Sequence, residues 1–285
     1  MNRPAPGSRQ PPTEPSLEPD EGWHCSHLYY RFDRSVLAAL APTQVRDGRQ
    51  ALIEILNPEA EKGPKRLQTS LVSGSKADFG LMVMDQNPLT VEGVNQRLLS
   101  SKLGPALIPT YSFVSMTEIS EYVPSVNEYA KRLIQEGDAP NSPAYSAKVK
   151  AYEARLPAMN KQRLTPEFPP GYPATCFYPM NKKREVGENW FNLAFSARSR
   201  MMAEHATSGM EFAGKVSQLI SVGLGFDDWE WGVTLWARNP QFLKEIVYRM
   251  RFDQASARYG EFGAFYTSYI MSAPEMLNHC LGSMG

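Results

Sequence analysis

Residues 227–252, DDWEWGVTLWARNPQFLKEIVYRMRF, predict a strand, a tight turn and an amphipathic helix in direct succession. Large side chains alternate along the strand and would share one of its faces. They are Trp229, Trp231, Val233 and Leu235. Asn239 suits an N-cap, and Pro240 suits the first helical position, where a missing N–H costs nothing. The helix that follows carries an apolar face formed by Leu243, Ile246, Val247 and Met250.

The same pattern occurs earlier in the chain, in residues 77–104, ADFGLMVMDQNPLTVEGVNQRLLSSKLG. The Asn-Pro pairs of the two copies begin at 87 and 239, a separation of 152 residues, which is too long for a solenoid and indicates a duplicated domain. Each half predicts strand, helix, strand, strand, helix and strand, which is the ferredoxin-like order. The expected fold class is therefore α+β, with two ferredoxin-like repeats forming a double-domain α+β barrel of the dimeric α/β barrel type.

The domain organisation follows from these repeats and from composition. We expect a disordered Pro-rich tail at 1–22, a first repeat at 23–135, a connector at 136–170, a second repeat with the functional site at 171–271, and a C-terminal tail at 272–285. The last strand of the second repeat is expected within 255–270.

Composition narrows the class of protein. Lys+Arg and Asp+Glu both number 30, so the basic excess of a typical nucleic-acid-binding protein is missing. No apolar run reaches the length of a transmembrane helix, and the N-terminus lacks the apolar core of a secretory signal. The three cysteines, Cys25, Cys176 and Cys280, are not in a metal-binding spacing. They predict reduced thiols and a cytoplasmic protein.

Among the four histidines, His205 has the most unusual surroundings. It lies in a predicted helix, SARSRMMAEHATSGMEFAGK, with Ser196 as the expected N-cap, and Met201 and Met202 fall on the same helical face. A satisfied core histidine is the simpler interpretation. The alternative is an axial ligand to haem iron, which needs only one neutral imidazole.

A second candidate segment is TCFYPMNKKR, residues 175–184. Pro179 is expected to end the strand, which leaves Tyr178 at the junction and Lys182 four residues further on. Both residues also have an ordinary explanation. Tyr178 would then be a core aromatic, and Lys182 would belong to a solvated strand end. Gln218 stands in KVSQLISVG on an apolar strand face, where it either bonds a neighbour or lines a polar cavity.

Two arginines and a serine complete the candidates. Arg163 begins RLTPEFPP, and Arg251 and Ser256 lie in MRFDQASARYGEFG. The planar guanidinium binds both oxygens of a carboxylate, although a surface ion pair explains either arginine equally well.

Several long motifs, in order, resemble the bacterial coproheme decarboxylases of the chlorite-dismutase-like haem proteins. They are SKADFGLMVMD, LIPTYSFVSMTEISEYV, CFYPMNKKRE, AEHATSGMEFAGKV, GFDDWEWGVTL and MRFDQASARYGEFG, and the resemblance spans roughly residues 23–271. It implies a homopentamer that converts iron coproporphyrin III to haem b, the last step of the coproporphyrin-dependent pathway. Hydrogen peroxide is the implied oxidant, and the coproheme is both substrate and redox centre.

The resemblance also implies roles for individual residues. His205 would be the proximal iron ligand, and Tyr178 would become a radical that abstracts hydrogen from a propionate. Lys182, with Tyr178 one of the two implied catalytic residues, would lie near a reactive propionate, and Gln218 would be the distal polar residue. The remaining implied coproheme-binding residues are Arg163, Pro179, Met180, Asn181, Arg251 and Ser256.

Two other functions stay open at this point. One is a haem b peroxidase or a chlorite-dismutase-like enzyme, although Gln218 offers no positive charge for an anionic oxidant. The other is a non-catalytic haem carrier or sensor, which would need His205 but not the pair Tyr178 and Lys182. A transient contact with the enzyme that supplies coproheme is a further expectation.

Overall fold

The computed structural model describes residues 14–282, and the first repeat contains four strands and three helices in this range. They are β1 (His24–Phe32), α1 (Arg34–Ala39), α2 (Pro42–Ile55), β2 (Arg66–Val72), β3 (Phe79–Asp85), α3 (Pro88–Leu99) and β4 (Leu107–Thr117). Two helices follow β4 before the second repeat, α4 (Val126–Gln135) and α5 (Pro143–Leu164), and α5 lies within the predicted connector. Asn87 caps α3 by accepting from the N–H of Leu89, as its place before Pro88 predicts.

The second repeat has the same core elements with additions around them. They are β5 (Ala174–Lys182), the short ribbon β6 (Arg184–Glu185) and β7 (Glu188–Asn189), α6 (Phe195–Met210), β8 (Val216–Val222), β9 (Trp231–Ala237), α7 (Pro240–Met250), α8 (Gln254–Tyr259), β10 (Gly260–Phe262), β11 (Tyr266–Ile270) and α9 (Ala273–Leu281). Asn239 caps α7, again as predicted.

The strands close into one antiparallel barrel. The first repeat has the order β2-β3-β1-β4 and the second the order β11-β5-β9-β8, which is the ferredoxin-like arrangement twice. The repeats join where β11 pairs with β2 and where β4 pairs with β8. The predicted fold class is therefore confirmed.

Successive side chains of each strand point alternately into the barrel and to its outward face, on which the helices pack. The interior is aromatic: His27 stacks on Phe177 with ring centroids 4.0 Å apart, and Tyr29 stacks on Tyr266 at 4.1 Å. Burial lowers the pKa of His27 to about 3, so this imidazole is neutral. On the outside, α7 places its apolar side chains against the second repeat's sheet, as the helical spacing predicts. They are Leu243, Ile246 and Met250.

Two local predictions are wrong. Helix α6 begins at Phe195 and has Ala194 at its N-cap position, so Ser196 lies inside the first turn and does not cap it. Residues 255–259, predicted as part of a strand, belong to helix α8, because Asp253 caps that helix by accepting from the N–H of Ser256.

The predicted tails differ in how far the structure describes them. Residues 1–13 of the Pro-rich tail and the last three residues of the chain lie outside the described range, and 14–22 form neither helix nor strand. In the C-terminal tail, α9 packs into the core of the first repeat.

All three cysteines are buried and unpaired by disulfides. Among the described helices, none is both long and apolar enough to cross a membrane.

Candidate functional site

The outward face of the second repeat brings the predicted site residues onto neighbouring strands. Tyr178 on β5 pairs with Val233 on β9, and Val233 pairs with Ile220 on β8, so these three side chains share a row. Gln218 lies one row away, opposite Leu235. Strands are about 4.8 Å apart and two residues along a strand span about 6.8 Å, so the Cα atoms of Tyr178 and Gln218 are roughly 12 Å apart on one face of the sheet.

This face is covered unevenly. Tyr178 is only 5% exposed and packs among the apolar residues between β5, β9 and α7. On β8, Gln218 is exposed and Ile220 is 41% exposed. The strand face on which Gln218 lies is apolar, as predicted, but it is open to solvent. The β8 side of this face is therefore accessible, whereas the β5 side is covered.

Pro179 does not end the strand, contrary to the prediction. The β5–β9 ladder runs through the pair Pro179–Gly232 and on to Met180–Trp231. The carbonyl of Pro179 accepts from the N–H of Gly263, which lies in the gap between β10 and β11. Because both backbone groups of one residue point to the same side of an antiparallel strand, the proline nitrogen also faces this gap. The nitrogen therefore points away from β9, and the β5–β9 ladder keeps its hydrogen bonds.

His205 is held by a buried carboxylate. Its Nδ1 lies 2.8 Å from Oδ2 of Asp253, whose side chain is fully buried, and the hydroxyl of Ser256 donates to the same oxygen at 3.3 Å. Hydrogen bonds to His205 and Ser256 hold the pKa of Asp253 below its ordinary value against the opposing effect of burial. With Nδ1 donating to an anion, Nε2 is the nitrogen left to bind a metal.

Lys182 comes close to the same pair from the end of β5. Its ammonium is buried, donates to the carbonyl of Ala255 at 3.0 Å, and lies 4.6 Å from the centre of the Trp190 ring. Burial lowers its pKa from 10.5 to about 8, while the charges of Asp253 and Glu230 partly oppose this shift. Lys182 is therefore a buried cation beside the acid that holds His205.

Tyr178 has an aromatic and a cationic neighbour. Its ring stacks on Phe265 with centroids 4.3 Å apart, and burial raises its pKa, so the phenol stays protonated at neutral pH. The Phe262 ring, on which Arg251 lies, is 5.9 Å from the Tyr178 ring, and the positive charge of Arg251 opposes the rise in the pKa of Tyr178. Arg251 stacks on Phe262 at 4.0 Å and caps the end of α7.

The remaining predicted residues lie in different environments. Met180 packs on the outward face with Tyr178, and Asn181 accepts from the N–H of Glu230. Arg163 lies in the last turn of α5, where it donates to Asn160. The structure thus groups Tyr178 with Arg251, and His205 with Lys182 and Ser256. It gives Arg163 contacts only within its own helix among the described hydrogen bonds and ion pairs.

Sequence reasoning missed two acidic residues of this region, Asp253 and Glu230. Asp253 stands in DQASARY, shortly before the predicted site residue Ser256, and an aspartate at that position is a good N-cap. This capping signal predicts where helix α8 begins. Its contact with His205 joins residues 48 positions apart and has no local signature.

These residues fit an iron porphyrin. The His205–Asp253 pair matches the carboxylate–histidine arrangement that orients a metal ligand. The open face at Gln218 and Ile220 lies in the same repeat, and Arg251 offers a charge suited to a propionate. Within the described residues, no cluster of three or more His, Cys, Asp or Glu can hold a metal ion.

Comparison with known proteins identifies the family to which the chain is similar. The family model for chlorite dismutase matches residues 45–271. A haem-binding protein from Thermus thermophilus is 32% identical, with 94% of this chain and 99% of that chain covered and a TM-score of 0.74. Chlorite dismutase from Candidatus Nitrospira defluvii in complex with imidazole is 14% identical, with 92% and 96% covered and a TM-score of 0.67, a likeness that shows the fold.

Proposed function

This chain belongs to the chlorite dismutase family, and on that premise we propose that it is a hydrogen-peroxide-dependent coproheme decarboxylase. The observation that carries the proposal is the buried Tyr178 on the same repeat as the His205–Asp253 pair. A carrier or sensor needs the histidine. An oxidisable phenol buried against the open sheet face adds a reactive group.

The proposed reaction converts two propionates of iron coproporphyrin III to vinyl groups and gives haem b. For each propionate, one hydrogen peroxide and one proton are consumed, and one CO2 and two waters are released. When bound, the iron centre supplies the oxidising chemistry with peroxide. Two electrons leave the propionate, which also loses one hydrogen from the carbon next to the ring and breaks its bond to the carboxylate.

Tyr178 carries the hydrogen transfer in this proposal. It gives up an electron and its phenolic proton, and the resulting phenoxyl oxygen takes a hydrogen atom from the propionate. Burial favours this role, because the raised pKa keeps the phenol intact until it is oxidised. Close positioning is essential, since the phenol must contact the carbon that it attacks.

The other residues bind and orient. His205 holds the iron, and Asp253 fixes the orientation of its imidazole. Arg251 and Ser256 anchor propionates, Met180 and Pro179 shape the wall beside Tyr178, and Gln218 faces the distal side. We keep Arg163, Asn181 and Lys182 as proposed coproheme-binding residues, although in this structure each side chain already bonds within the protein. A homopentamer is part of the same proposal.

Mass spectrometry of the products tests the function directly. Purified protein with iron coproporphyrin III and peroxide should yield a three-propionate intermediate and then haem b. Tyr178→Phe should bind the porphyrin and stop before the first CO2 loss. The matched control is Tyr269→Phe, which changes a half-buried tyrosine on β11 and should leave turnover unchanged.

Four outcomes would contradict the proposal or one of its parts. Tightly bound but unchanged coproporphyrin would favour the carrier or sensor. Oxygen release from chlorite, without decarboxylation, would favour the chlorite-dismutase-like enzyme. Full turnover in Tyr178→Phe would remove Tyr178 from the mechanism. For His205→Ala, an unaltered absorption spectrum of the complex would mean that another residue binds the iron.

A further inference from the structure

One face of the Tyr178 ring is covered by Phe265, which lies in the short segment between β10 and β11. The two ring centroids are 4.3 Å apart, and the ring planes differ by 22°. Phe262 also approaches Tyr178, but at 5.9 Å and with the planes 60° apart. Nearly parallel rings at the shorter distance leave no room for other atoms between them. Phe265 is therefore the closer aromatic neighbour of the phenol.

Phe265 reaches Tyr178 because neighbouring residues of a strand point to opposite faces. Tyr266 pairs with Phe177 on β5, and both rings belong to the aromatic cluster of the barrel interior. The residues beside them, Phe265 and Tyr178, face outward and pack in the same apolar cluster. Their stack occupies the position that would follow Tyr266–Phe177 in the ladder.

Two close contacts fix the backbone from which Phe265 projects. At one end of the segment, the N–H of Gly263 donates to the carbonyl of Pro179 at 2.9 Å. Gly263 leaves no room for a side chain, since a Cβ there would lie 2.6 Å from Cγ of Pro179 and 3.0 Å from Cζ2 of Trp229. At the other end, the ammonium of Lys76 donates to the carbonyl of Phe265 at 2.7 Å.

Lys76 comes from the first repeat, in the loop that joins β2 to β3. Its ammonium lies 5.4 Å from the centre of the Tyr266 ring, within the range of cation–π attraction. The same loop is bound to β11 by the N–H of Ser73, which donates to the carbonyl of Thr267 at 2.8 Å. Lys76 is exposed, so its hydrogen bond makes a modest contribution. The first repeat thus contacts the segment that carries Phe265.

We propose that Phe265 is a positioning residue for Tyr178, and that Lys76 of the first repeat fixes the backbone from which Phe265 reaches it. This inference rests on the proposed function only in taking Tyr178 as the residue that transfers hydrogen. The transfer requires the phenol oxygen to stay in contact with one carbon, so a ring that tilts within its pocket loses the productive geometry. Phe265 restricts that tilt by occupying one face of the ring.

The flip rate of the Tyr178 ring in the ligand-free protein tests this inference. Solid-state deuterium NMR with ring-deuterated tyrosine measures the rate, and the Tyr178 signal is the one absent from Tyr178→Phe. A flip must displace whatever is packed on the ring faces, so the rate reports how firmly the ring is held. Phe265→Leu should raise the rate about threefold to tenfold, the factor that corresponds to the usual worth of an aromatic pair. Phe265→Met takes its place if Phe265→Leu does not fold.

Lys76 has its own comparison. Lys76→Met should raise the flip rate by a smaller factor, and Lys76→Arg, which can still donate to the carbonyl of Phe265, should restore the wild-type rate. The matched controls are Phe168→Leu, at another half-buried phenylalanine, and Lys65→Met, at an exposed lysine just before β2. Neither control should change the rate.

Turnover gives a second readout. With iron coproporphyrin III and peroxide, Phe265→Leu should lower kcat for the first CO2 loss and leave KM for the porphyrin unchanged, because the orientation of Tyr178 matters in the transition state. A raised KM with unchanged kcat overturns the inference, since Phe265 would then bind the porphyrin instead of positioning Tyr178.

The two readouts separate this inference from the proposed function. An unchanged flip rate in Phe265→Leu overturns the inference whatever the turnover, and an unchanged rate in Lys76→Met overturns the part assigned to Lys76. A faster ring with unchanged kcat also overturns it, because the hold on the ring would then not serve the chemistry. A wild-type protein that leaves iron coproporphyrin III unchanged overturns the proposed function, and the role of Phe265 falls with it even where the flip rates respond as stated.

Discussion

At the scale of single residues, Lys182 shows how burial changes the chemistry of a side chain. An ammonium in water is strongly hydrated, and its transfer into the protein favours the neutral amine. Here the Ala255 carbonyl, the Trp190 ring and two acidic residues replace part of the lost hydration. The remaining cost appears as a pKa lowered from 10.5 to about 8.

This shift predicts a pH dependence of stability. Between pH 8 and 10.5 the unfolded chain keeps a proton on Lys182 that the folded chain has released, so Lys182 makes stability rise with pH in this window. The cost below pH 8 is roughly 3.5 kcal/mol at most, since each unit of pKa corresponds to about 1.4 kcal/mol. Lys182→Met, which lacks this titration, should therefore lose its advantage over wild type as the pH rises.

Urea unfolding of the ligand-free protein from below pH 8 to pH 10.5 measures the effect. The difference between the two proteins cancels the contributions of the tyrosines that also titrate at high pH. Lys183→Met is the matched control, because Lys183 is more exposed and pairs with Glu188 on the surface. A difference between Lys182→Met and wild type that stays constant with pH would contradict the lowered pKa.

At this scale the sequence predicts residue types better than partners. His205 and Tyr178 stand out because of their neighbours in the chain, two methionines in one case and a strand end rich in charge in the other. The contacts that tune them come from far away: Asp253 is 48 residues from His205, and Ala255 is 73 residues from Lys182. Neither periodicity nor capping rules contain that information, because both describe only local sequence.

At the scale of elements, β5 shows where a local rule and the folded sheet disagree. A proline inside a strand usually marks an edge or an end. Strand β5 is neither, since it pairs with β9 on one side and with β11 and then β10 on the other. The rule still applies to one side of β5. On that side Pro179 lies between the residues that pair with β11 and those that pair with β10, and neither strand pairs with it.

Pro179→Ala should therefore have a small effect on stability. The new N–H points away from β9, so the β5–β9 ladder is unchanged, and the main change is greater freedom of the unfolded chain, which costs about 0.4–1 kcal/mol. The matched control is Val233→Pro on β9, a strand paired on both sides. It removes a ladder hydrogen bond and should cost several times more. Equal losses in the two variants, measured by denaturant unfolding, would show that the gap beside Pro179 is not a free position.

At the scale of the whole molecule, the duplication allows the two repeats to be compared position by position. The comparison shows that the face that is open in the second repeat is covered in the first. Leu67 pairs with Val83 in the first repeat as Gln218 pairs with Leu235 in the second, and both partners stand four residues before an Asn-Pro turn. Leu67 is therefore the counterpart of Gln218. It is buried in the core of the first repeat, whereas Gln218 is exposed.

Helix α9 covers the counterpart face. The hydroxyl of Thr69, which occupies the position of Ile220, donates to the carbonyl of Met271 and holds the chain just before α9. Apolar side chains of α9 are then buried against the first repeat, namely Met276, Leu277 and Leu281. The sequence predicts the duplication from two matching segments. It does not predict the asymmetry, because α9 has no copy in the first half and its packing partner β2 is far away in the chain.

Weakening the packing of α9 separates the stability of the fold from ligand binding. Leu277 is fully buried, so Leu277→Ala should destabilise the protein by about 2–5 kcal/mol through lost apolar burial and the remaining cavity. Leu89→Ala, at a leucine that is 64% exposed on α3, should change stability by no more than about 0.5 kcal/mol.

Because α9 lies on the first repeat, both variants should bind iron coproporphyrin III with wild-type affinity at temperatures where they remain folded. Urea unfolding and absorbance titration measure the two quantities. A weakened affinity in folded Leu277→Ala would mean that the two outward faces are coupled through the shared barrel, and that α9 supports the site as well as the first repeat.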